Sequence, residues 1–129
     1  MLLDTLANAC SAIKNAEYVS RSNVIINPRS KLIGNVLRIL QAHGYIGEYE
    51  SIDDGRFGKL KVQLLGRINK IAVIKPRKPI KFGQIEQAES KYLPAINFGL
   101  LLISTSQGVL TNIEAKKRHI SGRLIAYVF

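Results

Sequence analysis

The sequence of 129 residues contains one cysteine, two histidines and no tryptophan. A single cysteine, Cys10, permits neither an internal disulfide nor a cysteine-rich zinc site, and its place on the apolar face of a predicted helix indicates a core residue. His43, His119 and the scattered acids lack the spacing of metal ligands. The sequence therefore predicts no metal site and no cofactor.

Long apolar segments are also missing. The longest, from Phe98 to Ile103, has about six residues, whereas a membrane-spanning helix needs about 20. The start, Met1-Leu2-Leu3-Asp4, lacks the basic segment of a signal peptide. We therefore expect an intracellular protein with no membrane partner, built as one domain or two small subdomains.

Motifs for catalysis are absent as well. The glycines form neither a phosphate-binding loop nor a dinucleotide fingerprint. Ser104 or Ser106 could be paired with His119 as a nucleophile and base, but no nucleophile elbow surrounds either serine. We expect no catalytic residues and no small-molecule substrate. An enzyme stays the alternative class, which Ser106→Ala and His119→Ala would test in any activity assay.

Acidic residues are few, nine against 19 basic ones, and their distribution is uneven. Residues 1–58 contain six basic and six acidic residues, whereas residues 59–129 contain thirteen basic and three acidic ones. The second segment therefore accounts for the whole net charge of +10. Six bases and no acid lie between Arg67 and Lys81. This pattern indicates a polyanionic partner, and nucleic acid is favoured because Pro76 and Pro79 prevent an amphipathic membrane helix. A basic loop that serves only solubility is the alternative.

The periodicities predict a mixed α/β (α+β) protein with two subdomains. Residues 1–75 are expected to form an α-β-α-β-β-β unit, with helices over residues 3–16 and from Asn27-Pro28 to Gly44, a strand at residues 23–26, a hairpin of residues 45–52 and 59–64, and a short strand from Ile71 to Ile74. Residues 76–83 are expected to be a basic connector. Residues 84–129 are expected to form a β-rich unit with one short helix that begins at Thr111.

A row of hydrogen-bonding groups follows the apolar strand of the second unit: Ser104, Thr105, Ser106 and Gln107, with Gly108 behind them. Hydroxyl and amide groups both donate and accept, so they suit base edges, 2′-hydroxyls and phosphates of RNA. An ordinary polar turn whose hydroxyls bond their own backbone explains the residues equally well. The residue types alone leave both interpretations open.

The same residues are part of a resemblance to a known protein family. Residues 104–109 and 111–115 resemble the signature of the eighth small-subunit ribosomal protein family, and segments at both ends and in the middle of the chain resemble it too: residues 3–8, 13–15, 27–32, 42–46 and 122–129. Residues 44–50 and 117–122 are similar to the archaeal and eukaryotic branch. The bacterial pattern has a glycine-rich segment in place of residues 118–121.

The resemblance implies two α/β subdomains and a structural protein that binds the central domain of small-subunit ribosomal RNA, supports its assembly, and contacts neighbouring ribosomal proteins in the cytoplasm. It assigns RNA contacts to Ser104, Thr105, Ser106 and Gly108, with Gln107 where the family often has Lys or Ala, and further contacts to Ser30, Lys31, Lys14, Asn15, Gly122 and Arg123. The stretch 67–81 is not covered by this assignment, so its role rests on charge. An RNA-binding regulator outside the ribosome is the alternative function.

Overall fold

A computed structural model describes residues 5–26, 31–52, 58–95 and 98–129 of the chain. The described residues fall into two compact units, Met1–Ile71 and Ala72–Phe129, called the N-terminal and C-terminal units below. Each unit contains helices and a sheet with antiparallel strand pairs, so the predicted mixed α/β (α+β) class is confirmed. No helix in the described ranges is long and apolar enough to cross a membrane.

The N-terminal unit places two helices against a three-stranded sheet. Its elements are α1 (Thr5–Tyr18), β1 (Asn23–Ile26), α2 (Lys31–Ala42), β2 (Ile46–Ile52) and β3 (Lys59–Leu64), and the strand order is β1-β3-β2. Both β1 and β2 pair with β3 in antiparallel register, which confirms the predicted hairpin. The turn of that hairpin and the predicted helix start at Asn27-Pro28 lie outside the described residues.

Apolar residues at helical and strand periods build the core of this unit. Buried positions recur every three or four residues on both helices and every second residue on β3, so each element presents one apolar face. Cys10 is buried among them, as predicted. The buried residues of the three elements are Leu6, Ala9, Cys10, Ile13 and Ala16 on α1, Ile33, Val36, Leu37 and Leu40 on α2, and Leu60, Val62 and Leu64 on β3.

The C-terminal unit is a four-stranded sheet with two α-helices, so the expectation of one short helix in this part of the chain is wrong. It contains β4 (Ile71–Ile80, whose first residue belongs to the other unit), a short 3₁₀ helix (Phe82–Gln84), α3 (Ile85–Tyr92), β5 (Leu100–Thr105), β6 (Gly108–Thr111), α4 (Asn112–Arg118) and β7 (Gly122–Val128). The strand order is β4-β7-β5-β6, and β5 pairs in antiparallel register with both β6 and β7. Ile80, Ile85, Leu101, Ile103 and Leu124 form the centre of its core.

The structure differs from the sequence-based expectation at β4. The strand expected to end at Ile74 continues to Ile80, and it pairs with β7 in the second sheet instead of joining the first. The composition of residues 76–83, which is rich in proline, glycine and lysine, predicts a connector in the sequence analysis. Proline is tolerated in a strand at the edge of a sheet, where one side of the backbone needs no partner, and β4 is such an edge.

Buried polar groups fix α4 against the sheet. Thr111 is the N-cap of α4, and its hydroxyl accepts a hydrogen bond from the backbone N–H of Glu114 at 3.2 Å, which is the N-cap bond of the predicted capping box. Asn112, which is 2% exposed, accepts from the backbone N–H of Leu101 at 3.2 Å and donates to Glu89. Glu89 also accepts from Lys116 at 2.8 Å, so one carboxylate joins α3 to α4.

Three helices end in the same left-handed motif. The residue with positive φ is Ser20 after α1, Gly44 after α2 and His119 after α4. In each case the next residue donates its N–H to the carbonyl five positions earlier. Gly44 confirms the predicted end of α2.

Candidate nucleic-acid interface

Residues 104–108, called the hydroxyl loop below, include the tight turn between β5 and β6. Ser104 and Thr105 end β5, Ser106 and Gln107 form the turn, and Gly108 begins β6 with a φ of 103°. Ser106, Gln107 and Gly108 are exposed, whereas Ser104 and Thr105 are half-buried. The tight turn follows from the antiparallel register, in which Thr105 faces Gly108 directly.

Within the loop, the side chains divide into those that hold the turn and those that a ligand can reach. The Thr105 hydroxyl donates to the Gly108 carbonyl at 2.8 Å and accepts from the Gln107 N–H at 3.1 Å. Both bonds are local, as in a hydroxyl-stabilised turn, so Thr105 has the structural role that the polar-turn alternative described. Ser106 lies exposed at the tip and is the hydroxyl best placed for a ligand.

Gln107 connects the loop to the basic end of α4. Its side-chain oxygen accepts a hydrogen bond from the Arg118 guanidinium at 3.1 Å. Arg118 also pairs with Glu114 at 3.3 Å, one helical turn earlier. The two contacts hold a positive charge beside the hydroxyl loop, in the last turn of a helix, where the helix dipole favours a cation.

The loop forms one wall of an open groove of about 650 Å³ in the C-terminal unit. Ser104, Thr105 and Ser106 line it together with Gly122 and Arg123 from the start of β7, so the structure brings five of the predicted residues together. They are brought together because β7 pairs with β5, with Arg123 opposite Ser104. The groove is also lined by five residues outside the predicted contacts: Pro79, Ile80, Lys81, Gln84 and Ser121.

Close packing explains the glycine at the base of the groove. A β-carbon on Gly122 would lie 2.3 Å from the Ser104 carbonyl oxygen and 2.9 Å from side-chain methyl groups of both Ile103 and Thr105. Only a residue without a side chain lets β7 approach β5 this closely. Gly122 therefore contributes to the groove by leaving room for the backbone of β5.

Arg123 links the groove to the basic strand β4. Its guanidinium donates to the Arg77 carbonyl at 3.4 Å, and both arginines are exposed. Lys75, Lys78 and Lys81 are also exposed along β4 or just beyond it, so the edge of the sheet carries a row of positive charges. Sequence reasoning identified the charge of this stretch but not its place beside the hydroxyl loop, which depends on the pairing of β4 with β7.

The remaining predicted contacts belong to the N-terminal unit. Lys31 is the exposed first residue of α2, where helix N–H groups and a lysine are suited to phosphate, and its predicted companion Ser30 lies outside the described residues. Lys14 and Asn15 are exposed on α1 and line a shallow depression of about 460 Å³ that also contains Tyr18 and Lys70.

Side chains that could hold a metal ion do not cluster in the described part of the chain. No three of its histidine, cysteine, aspartate and glutamate residues come close enough together to hold a metal ion. His119, the base considered for a hydrolase, contacts the ring of Phe82, with the ring centroids 4.5 Å apart. Seven of the ten residues that line the groove carry hydroxyl, amide or basic side chains.

Comparison with known proteins agrees with the resemblance drawn from the motifs. Residues 4–129 match the family described as ribosomal protein S8. The small ribosomal subunit protein uS8 of Pyrobaculum islandicum, an archaeon, is 56% identical over 129 residues, which cover 100% of this chain and 99% of that protein. The match to an archaeal protein agrees with the branch that residues 44–50 and 117–122 indicated. Because both matches extend over essentially the whole sequence, the chain belongs to the ribosomal protein S8 family.

Proposed function

We propose that the protein is a structural component of the small ribosomal subunit in the cytoplasm. It binds the central domain of small-subunit ribosomal RNA, supports assembly of that domain and contacts neighbouring ribosomal proteins, with no catalytic turnover. The observation that carries this proposal is the groove of the C-terminal unit, in which hydroxyls, Gly122 and Arg123 share one concave surface beside a basic strand. Membership of a ribosomal protein family supports ribosomal RNA as the ligand.

Affinity and specificity come from different parts of this surface. The exposed lysines and arginines of β4 attract RNA phosphates. This contribution to the affinity falls as the salt concentration rises, because binding releases counterions from the RNA. The hydroxyl loop recognises a distorted RNA site whose bases and 2′-hydroxyls are accessible. Thr105 and Gln107 hold the loop and Arg118 in position, while Ser104 and Ser106 contact the RNA. Lys14, Asn15, Ser30 and Lys31 provide further contacts from the N-terminal part of the chain.

Competition binding tests the proposal. The purified protein is offered the central-domain stem of small-subunit RNA at physiological salt, against an equal mass of unrelated structured RNA. We expect a preference of about 10³-fold or more, as for specific nucleic-acid recognition in general. A protein that binds both RNAs equally would be a nonspecific polyanion binder, and the assigned RNA contacts would have to be withdrawn.

Ser106→Ala tests the loop itself. We expect it to weaken binding of the cognate stem by about 1 to 3 kcal/mol, because an RNA polar group loses its partner in a closed interface. Binding of unrelated RNA should change little. Ser90→Ala is the matched control, since Ser90 is exposed on α3 of the same unit and does not line the groove. Equal losses on both RNAs would refute recognition by the loop.

A further inference from the structure

Phe82 and His119 form an aromatic pair on the surface of the C-terminal unit. Their ring centroids are 4.5 Å apart and their planes are inclined by 51°. Phe82 leaves 40% of its surface exposed, and His119 is also exposed. The core cluster of this unit is made of other residues, and no residue of the 3₁₀ helix that carries Phe82 is buried. The pair therefore keeps aromatic surface open to solvent.

The backbone at His119 is one that glycine adopts more readily. His119 has a φ of 55° and ψ of 44°, the left-handed position at which α2 ends with Gly44 and α1 with Ser20. A residue with a β-carbon is held there at some cost in conformational energy. Of the three residues in this position, His119 alone brings an aromatic ring, and that ring meets Phe82.

Each ring of the pair is carried by a segment of which other residues line the groove. Lys81 and Gln84, which flank Phe82 in the 3₁₀ segment, line the groove, and the Lys81 N–H donates to the Gln84 side chain at 3.0 Å. On the other ring, His119 follows Arg118, whose guanidinium is bonded to the hydroxyl loop through Gln107. The segments that carry the two rings therefore also line the groove, through Lys81 and Gln84 beside Phe82 and through Ser121 two residues after His119.

We propose that the Phe82–His119 pair is a stacking platform for an unpaired RNA base at the margin of the groove. This inference rests on the proposed function and adds a contact that recognises a base face instead of a phosphate or hydroxyl. Specific RNA binding commonly uses bases that are unstacked from the RNA and placed on aromatic side chains. The charge around the rings favours this occupant, because residues 72–129 have nine basic and three acidic side chains and Lys81 and Arg118 are adjacent to the rings in sequence.

Conservative variants of Phe82 separate stacking from simple apolar contact. Phe82→Leu keeps an apolar side chain but removes the aromatic face, whereas Phe82→Tyr keeps the face. With full-length protein and the small-subunit RNA stem, we expect Phe82→Leu to lower affinity by about 5- to 150-fold, the range for loss of one base–aromatic stack. Phe82→Tyr should bind like the wild type, and unrelated structured RNA should bind all three proteins equally.

His119→Gly is the second variant, chosen because glycine fits the left-handed backbone. It removes the ring while leaving the end of α4 in its preferred conformation, so the variant should melt no lower than the wild type. Its affinity for the RNA stem should nevertheless fall. A variant that is as stable as the wild type and yet binds RNA more weakly cannot be explained by a structural role of the ring.

A fluorescent base analogue in the RNA identifies the nucleotide that stacks on the pair. The RNA stem is made with 2-aminopurine at each unpaired position in turn, and one position should be quenched by wild-type protein and not by Phe82→Leu. Wild-type selectivity that survives in Phe82→Leu and is lost in Ser106→Ala would overturn the platform and leave the proposed function intact. If Phe82→Leu weakened only binding to a neighbouring ribosomal protein, the platform would also be overturned. Wild-type protein without preference for the stem would overturn both.

Discussion

Replacing Gly122 by alanine perturbs the groove at its most tightly packed point. The new β-carbon would lie 2.3 Å from the Ser104 carbonyl oxygen, which is backbone and cannot rotate away as a side chain would. Nonbonded atoms sit at about 3.5 Å in ordinary contacts, so β7 would have to move from β5 by about 1 Å. The displacement falls where Arg123 pairs with Ser104, at the entrance to the hydroxyl loop.

The expected cost follows from what overpacking costs elsewhere. Forcing one extra methyl group into a closely packed region destabilises a protein by about 1 to 3 kcal/mol. For a chain of 129 residues each kcal/mol lowers the melting temperature by about 4 °C, so Gly122→Ala should melt about 4 to 12 °C below the wild type. It should also bind the cognate RNA stem more weakly, because the two walls of the groove are displaced.

Gly34→Ala is the matched control, with an expected effect of opposite sign. Gly34 lies within α2, and a β-carbon there meets nothing within 4 Å. Alanine should stabilise the helix by about 0.5 to 1 kcal/mol, because glycine in a helix interior loses more backbone freedom on folding. Differential scanning calorimetry of both variants checks the pair. If Gly122→Ala melted at or above the wild-type temperature, the close approach of β7 to β5 would be refuted.

Three further predictions concern the framework and the charges. Thr111→Ala should destabilise the protein by about 1 kcal/mol in urea unfolding, since α4 loses its N-cap, and Thr111→Ser should restore most of the loss. Asn112→Ala should cost about 1 to 3 kcal/mol because the buried N–H of Leu101 loses its acceptor, so an unchanged urea midpoint would contradict that hydrogen bond. The double variant Arg77→Ala, Lys78→Ala should reduce the slope of log RNA affinity against log salt concentration by about two, while sparing the preference for the cognate stem. An unchanged slope would remove β4 from the interface.

Local sequence patterns account for most elements of the fold. The helical spacing of Leu6, Cys10 and Ile13 predicts α1, the alternation along Lys59–Leu64 predicts β3, and Gly44 predicts the end of α2, all of which the structure shows. These features are decided by residues close together in the chain, through side-chain periodicity and the conformational freedom of glycine. They are therefore visible without knowledge of any long-range contact.

The extent of β4 and the assembly of the groove could not be predicted in this way. Pro76 and Pro79 argue against a strand when only local propensity is considered, whereas a strand at the edge of a sheet, as β4 is, tolerates proline. Lys81 and Ser121 gain a place in the groove only through their positions beside β5 and β7. The meeting of Phe82 with His119 likewise joins residues far apart in sequence.

The sequence by itself determined the mixed α/β class, the concentration of positive charge after residue 58, the family, and the row of hydroxyls at residues 104–106. The tertiary structure decided which hydroxyl supports the turn and which is exposed, and it brought Arg123 and the basic strand beside them. Composition and periodicity are properties of neighbouring residues, whereas a binding surface depends on strand pairing between segments that only the folded chain brings together.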